Sequence, residues 1–134
     1  MSLEYTPLLN EAALRDAAST LPKQPCTCAV GPCLAWESLA EDRWPPAQMR
    51  KLGTLRDAEV CEPTFEEFHP QGTRYDGVDA PVAMQYFPYN RCDVFSCQLC
   101  SRSLMRYTEF GGYYVDHRVR ELRLALLATP NQEV

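Results

Sequence analysis

Cys97 and Cys100, separated by two residues, lie inside Val94-Phe95-Ser96-Cys97-Gln98-Leu99-Cys100-Ser101-Arg102-Ser103-Leu104. No other stretch restricts the fold as much. Strand-forming apolar residues lead in, and a short polar segment leads out to a second apolar run. The chain must therefore reverse within a few residues. Such a turn directs two thiolates and several backbone N–H groups at one point, as a tetrahedral metal site requires. Five further cysteines (Cys26, Cys28, Cys33, Cys61 and Cys92) are available to complete it.

Two thiolates supply half of a structural zinc site, and the second half comes from a pair distant in sequence. Cys28 and Cys33 are the expected pair, because Gly31-Pro32 between them supplies the reversal such a loop needs. Cys26 is an alternate, since Cys26 and Cys28 point to the same side of an extended strand. Cys92 and His117 are the other alternates. The spacing Cys92-x4-Cys97-x2-Cys100 matches three ligands of plant-type iron–sulfur proteins, but no fourth cysteine follows Cys100. That leaves iron as the minor reading. A redox pair would sit where a strand enters a helix, whereas here both flanks read as strand. Seven cysteines, an odd number, also argue against a disulfide framework.

The segment is similar to the knuckles of zinc-ribbon and rubredoxin-like modules, with Phe95, Cys97 and Cys100 carrying the likeness. It extends over about residues 92–122. The resemblance implies a local device that holds structural zinc, and it implies no shared activity.

The rest of the chain reads as one α+β domain over residues 1–134. A helix is expected over 9–21, capped by Asn10, built on Ala12, Ala13, Ala17 and Ala18, and ended by Pro22 and Pro25. A cysteine-rich turn follows at 26–33. Residues 46–91 carry repeated prolines and glycines and read as long wrapping loops pinned by aromatic residues. Within them, 47–52 is expected to form a short helix. Residues 92–123 read as a three-stranded antiparallel meander, in which the Cys-x-x-Cys turn joins the first two strands and Phe110-Gly111-Gly112 turns the second into the third. Its last strand alternates Tyr113, Val115, His117 and Val119 with Tyr114, Asp116, Arg118 and Arg120. This predicts a sheet covered on one face only.

The net charge is −5. Residues 1–90 hold 7 basic and 13 acidic side chains, against 6 and 5 in residues 91–134. An acidic balance does not suit a phosphate backbone, so nucleic acid is not an expected partner. No apolar run approaches the roughly 20 residues needed to span a bilayer. The start of the chain lacks a basic n-region, so the expected compartment is the cytoplasm.

No phosphate loop, His-Glu-x-x-His or Gly-x-Ser-x-Gly is present. The expected function is protein binding by a zinc-stabilised domain, of an inhibitory or immunity type against a basic enzyme. Arg102, Arg106, Tyr107, Arg118 and Arg120 are its expected contact residues, because arginine and tyrosine are enriched at binding hot spots. The alternative is an enzyme with a cysteine thiolate or open metal site served by His117 or His69.

Overall fold

In the computed structural model, which describes residues 7–19, 30–110 and 112–128, one α-helix accompanies a five-stranded antiparallel sheet. Helix α1 spans Glu11–Ser19. The Asn10 side chain accepts the Ala13 N–H at 2.8 Å, satisfying one donor of its first turn. Leu14 and Ala18 carry its buried side. Pro22 and Pro25, expected to end it, lie outside the described residues.

The strands are β1 (Glu37–Ser38), β2 (Met49–Thr54), β3 (Asp93–Cys97), β4 (Ser103–Phe110) and β5 (Val115–Glu121). Their order in the sheet is β1-β5-β4-β3-β2. The short helix expected over 47–52 is instead strand β2. Met49 pairs with Cys97 and Lys51 with Phe95, so partnership with β3 overrides the helix-forming side chains there. The register slips between Lys51 and Gly53. A Cβ on Gly53 would sit 2.7 Å from the Leu9 side chain and from the Pro7 carbonyl. The absent side chain lets Pro7–Leu9 lie along β2, with Leu9 N–H to Thr54 O and Thr54 N–H to Pro7 O both at 2.9 Å.

Both faces of the sheet are covered, contrary to the expectation of one. Val94, Met105 and Tyr107 pack with Leu14, Trp36, Tyr89, Cys92 and Leu122 on one face. Phe95, Cys97, Leu104 and Val119 pack with Val30, Cys33, Leu39, Trp44, Met49 and Cys100 on the other. Alternation along the last strand predicted which side chains share a face. It did not predict that the loop between β2 and β3 would cover the polar one.

That loop, residues 55–92, contains no α-helix or strand apart from a bridge at Val82 and a single 3-10 turn at Tyr89–Arg91. Such a path strands backbone carbonyls, and arginines satisfy many of them. Arg120 has no exposed surface. It donates to the Ala80 carbonyl at 2.9 Å, to Val78 at 3.2 Å, to Leu34 at 3.4 Å, and to the Tyr89 hydroxyl. Arg123 also reaches the Val78 carbonyl, at 2.8 Å. Arg91 donates to Pro63 O at 2.8 Å, its guanidinium lying 4.1 Å from the Phe65 ring centre.

The covered face holds several protonated groups. Burial raises Tyr75 and Tyr89 above the ordinary tyrosine value of 10.0 and raises Tyr107 further. Burial likewise raises Cys92 above 9.0. The unfolded chain therefore releases these protons first as pH rises. Their contribution to stability is complete below the ordinary values and drains away above them. Urea midpoints are expected to hold steady up to about pH 8.5 and then fall steadily towards about pH 11. A midpoint unchanged across that interval contradicts the buried placement.

Candidate functional site

Three cysteines belong to the hydrophobic cluster beneath β3 and β4. Cys33, Cys97 and Cys100 each have 0% exposure, although they come from two stretches more than sixty residues apart. The 97–102 turn is closed by Ser101 N–H to Cys97 O at 2.7 Å and Cys97 N–H to Arg102 O at 2.9 Å. Closing it places Ser101 at φ +72, a left-handed conformation that costs a non-glycine residue about 1 kcal/mol or more. The second stretch has the same character, with Gly31 at φ +82 and Cys33 at φ +46.

Arg102 ties these turns together. Its guanidinium donates to Gly31 O at 2.7 Å and Pro32 O at 2.6 Å, and its Nε lies 3.4 Å from the Glu121 carboxylate. The Cys33 carbonyl accepts the Glu121 N–H at 2.8 Å. The Gln48 amide donates to Cys97 Sγ at 3.2 Å, a contact that favours an electron-rich sulfur. Among the described residues, no group of three cysteine, histidine or carboxylate side chains is placed to hold a metal ion. Cys26 and Cys28, the remaining expected ligands, lie outside the described residues.

The alternates are placed elsewhere. Cys92 packs on the opposite face of the sheet from Cys97, its thiol donating to Pro88 O at 3.3 Å. It therefore cannot share an ion with Cys97 and Cys100. His117 spends Nδ1 on Thr108 Oγ1 at 3.0 Å and Nε2 on the Glu41 carboxylate at 3.1 Å. His69 bonds Thr73 and Glu67, each at 2.7 Å. Neither histidine makes one of these contacts to a cysteine. Cys61 is exposed.

The five expected contact residues do not form one surface. Arg120, Arg102 and Tyr107 are buried. Arg118 is engaged by Asp116 at 2.8 Å, by the Tyr75 hydroxyl at 2.9 Å and by Glu109 at 3.5 Å. Arg106 projects from the other face, with Glu41 at 2.8 Å and the Trp44 ring centre at 4.6 Å. The error is physical. Arginine donors that appear to face solvent in an alternating strand are the groups an irregular loop recruits for its carbonyls.

An exposed surface that charge and spacing did not single out lies at the far end of the β4–β5 hairpin. Phe110 is 76% exposed, Tyr113 103%, Tyr114 55% and Val115 57%. In the sequence these residues have the pattern of a turn and a strand. The available signal was four large apolar side chains flanking Gly111-Gly112, where a solvated hairpin needs none. Comparisons with protein families, curated proteins and solved structures find no match to this chain. Among the described residues no helix is long and apolar enough to cross a membrane.

Proposed function

We propose that this chain is a small zinc-stapled domain that acts by binding another protein, with the aromatic end of the β4–β5 hairpin as its contact surface. One observation carries the reading: Phe110, Tyr113, Tyr114 and Val115 stand exposed together at the end of an otherwise well-covered sheet. Contiguous exposed apolar groups of this kind mark interaction sites, and tyrosine and phenylalanine are enriched at interfaces. The zinc is structural in this reading. Its ligands are Cys97, Cys100, Cys33 and Cys28, with Cys26 as the alternate. Support comes from the three buried thiols in one cluster and from two turns bent into left-handed conformations beside them. A reducing, cytoplasmic compartment keeps those thiols available as ligands.

A photo-crosslinking residue at position 113 tests the contact surface in cells. A discrete adduct is expected there and not from the exposed position 74. It is expected to disappear when Phe110 and Tyr114 are changed to alanine, with the thermal melt unchanged. Equal labelling from positions 113 and 74 contradicts the proposal.

A further inference from the structure

We propose that the outer edge of β4 at residues 107–110 receives an extended acidic segment of the partner, which adds to the sheet as a further strand. This rests on the protein-binding reading above and supplies its mode. β3 begins at Asp93, whose partner is Arg106, so β4 runs on past it through Phe110. The chain that would continue β3 backwards is the 3-10 turn at Tyr89–Arg91, which departs from the strand line.

The hydrogen-bond phase shows which groups face the vacant lane. Arg102 directs its carbonyl to Cys97 on the β3 side, whereas Ser103 directs its own to Leu122 on the β5 side. Alternation therefore turns the N–H and C=O of Thr108 and Phe110 outward. No strand among the described residues occupies that lane.

A cleft of about 450 Å³ runs beside this edge, lined by Arg56, Arg91, Asp93, Arg106, Thr108 and Phe110 among others. Arg56 donates to the carbonyls of Asp57 and Val60, and Arg91 to those of Pro63 and Thr64. Neither forms an ion pair among the described residues. The acid in the cleft, Asp93, is engaged by Lys51 at 3.4 Å. Arg106 is paired with Glu41 at 2.8 Å, so Arg56 and Arg91 are the cations that make the lane locally basic in a chain of net charge −5. Backbone pairing supplies affinity in strand addition, and flanking side chains select the partner. Here they select glutamate or aspartate. A second copy is disfavoured, because two such edges meeting would set the arginines of one against those of the other.

The test uses short labelled peptides of alternating glutamate and valine, with fluorescence anisotropy as the readout. The acidic peptide is expected to bind roughly tenfold or more tightly than its lysine counterpart. N-methylation of one alternate set of peptide amides is expected to abolish binding, and methylation of the other set to leave it, because only one set faces β4. Thr108→Pro removes an outward N–H and leaves the β5-facing groups of residues 107 and 109 in place, and it should abolish binding.

Equal binding of both methylated peptides overturns strand addition, as does equal binding of the lysine peptide. If Thr108→Pro fails to fold, the methylated pair on the unmodified protein still decides. A position-113 adduct without phase-dependent peptide binding removes strand addition and leaves the contact surface. Phase-dependent binding without that adduct does the reverse.

Discussion

If the proposed zinc site holds the domain together, Cys100→Ser is expected to abolish the cooperative thermal transition and to leave the purified protein without stoichiometric zinc. The size of the effect separates two accounts of the buried sulfurs. If Cys100 were only a packed thiol, serine would bury a hydroxyl in its place and cost about 1–3 kcal/mol. At roughly 4 °C per kcal/mol for a chain of this length, the melt would shift by about 4–12 °C. A structural zinc site contributes on the order of 10 kcal/mol, comparable to the whole stability of a domain. Losing a ligand then leaves little to melt. His69→Ala is the control, since its contacts to Thr73 and Glu67 lie in a surface loop, and a shift of no more than a few degrees is expected. A Cys100→Ser protein that melts within about 12 °C of the parent contradicts the zinc site.

Arg120→Met is expected to cost about 3 kcal/mol or more, at roughly 1–3 kcal/mol for each buried acceptor left without a donor, measured as a fall in the urea midpoint at constant slope. Methionine keeps much of the side-chain volume, so the loss reports the donors rather than a cavity. Three acceptors depend on this guanidinium: the carbonyls of Leu34 and Ala80, and the Tyr89 hydroxyl; the Val78 carbonyl keeps its bond from Arg123. Left buried without donors, each acceptor carries a desolvation cost. Amide exchange in residues 78–83 is expected to accelerate along with the global loss, because the clamp anchors that segment to β5. Arg106→Met removes a partly exposed pair with Glu41 and is expected to cost below about 1 kcal/mol. Equal effects of the two substitutions contradict the clamp.

The sequence was most legible where local chemistry and final structure agree. Asn10 and the alanines that follow form helix α1, and the aromatic and β-branched runs around Cys97 and Gly111-Gly112 form β3, β4 and β5. Strand β2 was read as a helix because 47–52 is rich in helix formers, and only its pairing with β3 makes it a strand. Arg120, Arg102 and Tyr107, expected as contact residues, are buried; alternation reports which residues share a face, not what covers it. Covering depends on a 38-residue loop, 55–92, whose path has no periodicity to read. Of the expected ligands, Cys97, Cys100 and Cys33 fall in one buried cluster, whereas Cys92 falls on the other side of the sheet, which spacing alone cannot indicate.

The most direct measurement is elemental analysis of the purified, reduced protein, paired with thiol labelling before and after adding a chelator. One zinc per chain is expected, with rapid labelling of Cys61 and labelling of Cys33, Cys97 and Cys100 that accelerates once zinc is withdrawn. Protein without stoichiometric metal, in which the chelator leaves both labelling and melting unchanged, would contradict the zinc site.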